Sequence, residues 1–70
     1  MEEVWTKSFE VTGRTFEAVC MRRPFREGFE VRIEVDGEVL TFAELGYGDT
    51  ALLEKAKAVV EAHLAKGAKG

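Results

Sequence analysis

Between positions 29 and 36 apolar and polar residues alternate without a break. Phe29, Val31, Ile33 and Val35 fall on one side, Glu30, Arg32, Glu34 and Asp36 on the other. A strict period of two predicts a strand with one buried and one wet face. Asp36-Gly37 follows, a dipeptide suited to the two positive-φ positions of a type I′ hairpin turn. Counting through that turn sets Ile33 opposite Leu40 and Val31 opposite Phe42 on the inner face. Glu34 then faces Val39, and Arg32 faces Thr41, on the outer face.

Residues 4–12 (VWTKSFEVT) and 15–22 (TFEAVCMR) are rich in β-branched and aromatic side chains and predict an earlier hairpin. Trp5, Phe9 and Val11 share one face of the first strand, interrupted by Lys7. Two turns fit. A type II′ turn at Gly13-Arg14 pairs Val11 with Phe16 but sets Glu10 against Glu17. A turn at Thr12-Gly13 pairs Phe9 with Phe16 and removes that clash. In the second strand Phe16, Ala18 and Cys20 point one way and Val19 and Met21 the other, so it is apolar on both sides. Residues 23–28 (RPFREG) break the pattern with Pro24 and Gly28 and form a loop.

After residue 48 the period changes. Leu52, Leu53, Ala56, Val59, Val60 and Leu64 form one stripe at about 100° per residue, which predicts an amphipathic helix. Asp49 or Thr50 is the expected N-cap and Gly67 the expected stop; residues 68–70 are expected to fray. The stripe needs an apolar partner. The inner residues Trp5, Phe9, Phe16, Phe29, Val31, Ile33, Leu40 and Phe42 supply it. The predicted fold class is α+β: a four-stranded antiparallel β-meander, order 1-2-3-4, with one C-terminal helix packed on one face (ββββα).

The chain has 70 residues, which makes residues 1–70 one small domain. It is 46% hydrophobic and 33% charged, a globular composition. No apolar run approaches the roughly 18 residues of a membrane helix. The acidic start Met1-Glu2-Glu3 is unlike a secretory signal. Cys20 is the lone cysteine, which fits a reducing cytoplasm. The formal net charge of −3 argues against a duplex DNA binder. At this size the hydrophobic gain and the chain entropy nearly cancel, so association is one route to added stability.

Candidate chemistry is sparse. Cys20 and His63 could pair as nucleophile and base, but the pattern buries Cys20 among Phe and Ala positions, where it acts as a small hydrophobe. His63 has no second ligand at i+3 or i+4, so no metal site is expected. Glu30, Glu34, Glu38 and Glu44 are dispersed and make no carboxylate pair for acid–base work. Gly46, Tyr47 and Gly48 precede the helix but lack the lysine and spacing of a phosphate loop; a sharp turn is the expected role. No catalytic activity and no cofactor are expected.

Two surfaces remain. Val19, Met21 and Val39, with Val4 beside them, mark the uncovered sheet face as a dimer or partner interface. Arg22, Arg23 and Arg26 bracket Pro24 and Phe25, an interleaving that can hold phosphates and stack a base of single-stranded nucleic acid. Glu27 dilutes that charge and the chain is acidic, so the expected reading is a solvated loop with Phe25 folded back over the core edge; nucleic acid is the alternative and not the expected partner.

Residues 42–65, FAELGYGDTALLEKAKAVVEAHLA, resemble a stretch of HicB-type antitoxins through Gly48-Asp49-Thr50 and Ala56-Lys57. The resemblance covers about a third of the chain. It departs from that family's pattern in lacking the proline and the Gly-Cys ahead of the helix and a strand after it. It implies a small protein that binds another protein. The expected function is a cytoplasmic protein-interaction or homodimerising module, with the arginine loop as the alternative.

Overall fold

The computed structural model describes residues 2–45 and 48–67. Four strands, β1 (Glu2–Val11), β2 (Arg14–Arg22), β3 (Phe29–Val35) and β4 (Glu38–Glu44), form one antiparallel sheet in the order β1-β2-β3-β4. The helix α1 (Asp49–Gly67) packs against it through β1, β3 and β4. The expected α+β meander with a C-terminal helix is the observed architecture.

Both hairpins turn through two residues of positive φ. Asp36 and Gly37 have φ of 49° and 87°, and the β3–β4 register is the one counted from the turn: Ile33 with Leu40, Val31 with Phe42, Glu34 with Val39. The first hairpin resolves the two candidate registers. Thr12 and Gly13 have φ of 49° and 80°, and Phe9 pairs with Phe16. The two rings stand 6.0 Å apart and tilted by 33°, within the range of favourable aromatic pairs. Glu10 faces Thr15 instead of Glu17.

β1 begins earlier than the pattern suggested and contains a bulge: Glu3 pairs with Met21 and Trp5 with Cys20, leaving Val4 as the extra residue. The bulge keeps Trp5, Lys7, Phe9 and Val11 on the inner side. Lys7 therefore points toward the helix side, opposite Ala18. Its ammonium lies 5.7 Å from the Trp5 ring centre and 3.6 Å from the Asp49 carboxylate. An apolar face with one lysine is thus reconciled at the sheet edge, where the charge meets a carboxylate on the helix.

The core lies between sheet and helix. Phe9, Val11, Phe16, Ala18, Cys20, Val31, Ile33, Val35, Leu52, Ala56 and Val60 are buried, with Trp5, Phe29, Leu40, Phe42, Leu53 and Leu64 packed around them. Two inner rows run across the sheet, Ala18-Ile33-Leu40 and Cys20-Val31-Phe42. Each sets a small residue beside large ones. On the helix the deepest positions, Leu52, Ala56 and Val60, are four apart and form the centre of the expected stripe. Val59 is only half-buried.

The helix start differs from expectation. Ala51 and Leu52 donate backbone hydrogen bonds to the Gly48 carbonyl, so Gly48 holds the N-cap position. Asp49 falls in the first turn, where a negative charge complements the helix dipole. The helix assignment includes Gly67 as its last residue. The expected fraying of 68–70 and the expected turn at Gly46 and Tyr47 lie outside the described residues.

Candidate functional site

The helix covers one sheet face. The other is uncovered among the described residues, and the alternation of side chains decides what it carries. Its rows are Thr6-Val19-Arg32-Thr41 and Glu3-Met21-Glu30-Ala43. A hydrogen bond from Thr6 Oγ1 to Glu3 Oε2 at 2.9 Å places these two side chains on one side of β1, across the bulge. Val19 and Met21 are half-buried between such neighbours, whereas Val39 is 62% exposed.

The centre of this face is not flat. The β2–β3 ladder ends at the Ala18–Ile33 pair, while the β1–β2 and β3–β4 ladders run on to their turns. The two hairpins separate beyond that point. A depression of about 570 Å³ opens between them, lined by Glu17, Val19, Arg32, Glu34 and Val39 among others. Arg14 bridges the gap near the turns with a two-point contact to Asp36, Nη2–Oδ1 2.7 Å and Nη1–Oδ2 3.4 Å. The guanidinium holds the Asp36 carboxyl below the usual carboxylate range, first by this hydrogen bond and then by its charge.

Two of the three expected partner-binding residues, Val19 and Val39, therefore meet in one depression, and Met21 lies two positions along β2 on the same face. What surrounds them is acidic. Glu3, Glu10, Glu17, Glu30 and Glu34 occupy outer positions, with Arg32 as the cation among them. Arg32 Nε bonds Glu30 Oε2 at 2.7 Å. The Glu34–Val39 pairing was legible from the hairpin count. Glu17 and the depression were not, because they depend on where two separate hairpins part.

At the opposite end of β2 the Arg22–Arg26 segment is placed differently from the expected folded-back loop. Phe25 is 96% exposed and covers no part of the core; the expectation that it folds over the core edge is corrected. Pro24 and the link between Arg23 N and Gly28 O, 3.4 Å, shape a loop that projects its tip outward. Gly28 has φ of 100°, and a Cβ there would sit 2.5 Å from the Glu44 carbonyl oxygen, so only glycine fits. Arg22, Arg23 and Arg26 line one depression of about 390 Å³, together with Glu27, Gly28, Phe29 and Leu45.

Cys20 and His63 are not brought together. Cys20 is buried in the sheet, and burial, with a smaller contribution from the Asp49 charge, pushes its thiol pKa up. His63 is half-buried and lines a depression with Glu38, Lys66 and Gly67. From Asp49, whose charge Cys20 senses, to His63 the helix rises about 20 Å. Among the described residues no group of three or more His, Cys, Asp or Glu could hold a metal ion, and no helix is long and apolar enough to cross a membrane.

Comparison with known proteins finds no matching family model, no matching curated protein and no matching solved structure.

Proposed function

We propose that this chain is a non-catalytic protein-interaction module that docks a basic, partly apolar segment of another protein on the outer face of its sheet. The observation that carries the reading is the depression between the hairpins, where Val19 and exposed Val39 are ringed by Glu17 and Glu34. Apolar side chains supply contact area, and carboxylates select for lysine or arginine on the partner and raise the encounter rate. A second copy is the less favoured occupant. Self-association through this face brings together two surfaces on which carboxylates outnumber cations, Glu17 and Glu34 among them, and like charges oppose such a contact. The absence of catalysis is supported by the inert setting of Cys20 and its separation from His63. A buried cysteine without a disulfide supports a cytoplasmic setting.

The test is capture from a lysate of the source cells with the parent chain and with the Met21→Glu/Val39→Glu variant. A protein retained by the parent in low salt, released by added salt and lost with the variant is the expected result. Sedimentation of the parent at micromolar concentration is expected to give the 7.8 kDa monomer. Capture indifferent to both substitutions, or a stable dimer abolished by Val39→Glu, overturns the reading.

A further inference from the structure

We infer that the loop end of the sheet is a second binding site, for single-stranded nucleic acid, with Phe25 stacking on a base and Arg22, Arg23 and Arg26 contacting phosphates. The site is separate from the hairpin depression, and the inference does not depend on the partner proposed for that face.

The first observation is the cost the loop accepts. Phe9 and Phe16 are buried, and Phe29 and Phe42 pack on the core. Phe25 alone among the phenylalanines stands 96% exposed, although burial of such a ring is favourable. Its loop is held at the base by the Arg23–Gly28 link and by the close approach of Gly28 to β4. The ring is therefore presented by a fixed base.

The second observation is the state of the arginines. Lys7, Arg14, Arg32, Lys55 and Lys57 each have a carboxylate partner. Among the described residues Arg22, Arg23 and Arg26 have none. Arg22 instead stands 5.9 Å from the centre of the Phe29 ring. Arg23 and Arg26 line depressions on two sides, one with Phe25 and Pro24 and one with Phe29 and Leu45. Of the neighbouring carboxylates, Glu30 is engaged by Arg32 and Glu44 by Lys55, which leaves Glu27 in the loop and Glu2 of β1, opposite Arg22, as the near charges opposing an anion.

An exposed aromatic flanked by uncompensated guanidinium groups matches the two needs of a single strand, a π-face for an unstacked base and cations for its backbone. A duplex hides its base faces, so the exposed Phe25 ring has nothing to stack on there. The small number of arginines implies two or three phosphate contacts and modest affinity.

The test is fluorescence anisotropy with a labelled ten-nucleotide oligo-dT, titrated at several salt concentrations. At about −0.7 per phosphate, two to three contacts predict a slope between about −1.4 and −2.1 for log K against log salt. Phe25→Ala is expected to weaken binding about tenfold without changing that slope, and Arg23→Ala/Arg26→Ala to flatten it. Because Phe25 touches no core residue, Phe25→Ala should melt at the parent temperature by circular dichroism, so lost binding is not lost folding. No binding at low salt, or binding indifferent to Phe25→Ala, overturns the inference. So does equal or tighter binding of phosphatidylserine vesicles that requires the same residues, which would assign the site to an anionic lipid surface.

Discussion

Thr12 and Asp36 occupy the same place in two hairpins and share a φ of 49°. Aspartate tolerates that left-handed conformation, but a β-branched residue is strained there. The Thr12 hydroxyl donates to the Val11 carbonyl at 2.7 Å, which offsets part of the strain. Thr12→Asn is expected to stabilise the fold by about 1 kcal/mol and to raise Tm by about 4–8 °C for a domain of this size. A Tm at or below the parent's in a thermal melt would show that the turn is unstrained. The same residues explain why Asp36-Gly37 announced its hairpin and Thr12-Gly13 did not. Phe25 marks the opposite case: its hydrophobicity pointed inward, and only the path of the loop, set by Pro24 and Gly28, turned it out.

At the scale of elements, the sheet edge at β1 carries two devices that discourage pairing with another strand, the bulge at Val4 and the inward-pointing Lys7. The two hairpins part beyond Ala18 and Ile33 and are tied across the gap by Arg14 and Asp36. This tie makes a pH dependence. The folded-state pKa of Asp36 is lowered, so its contribution is present above the unfolded value of about 3.9 and is lost as pH falls through the lower folded value. The pair is exposed, and its effect is small. Removing the partner by Arg14→Met is expected to raise the Asp36 pKa toward that of an ordinary aspartate in an NMR carboxyl titration. The stability difference between parent and variant in urea should shrink from pH 6 to pH 3. An unmoved Asp36 titration would contradict the tie.

For the whole molecule, one thin core must hold sheet and helix together, and Cys20 reports on it. The residue is 1% exposed between the Val31 and Trp5 positions, and burial disfavours its thiolate. Thiol labelling at pH 8 is expected to be slow in the native state and to track global unfolding, reaching the rate of a model thiol only in denaturant. Fast native labelling would mean that the helix does not seal the sheet. The charges also divide by region. Carboxylates collect on the outer sheet face, and arginines without carboxylate partners collect at the loop end, so a chain of net charge −3 presents surfaces of both signs.

Alternation over 29–36, the Asp36-Gly37 turn and the helical stripe from Leu52 to Leu64 were legible in the chain because each depends on neighbours a few residues apart. Those local periods set element types, the inner and outer sides of the strands and the β3–β4 register. The choice of the Thr12-Gly13 turn, the bulge at Val4 and the Lys7–Asp49 contact required the strands and helix to meet. So did the depression between the hairpins and the outward path of Phe25. Each is decided by contacts between segments far apart in sequence, where packing and charge pairing choose among alternatives that local pattern leaves nearly equal in energy.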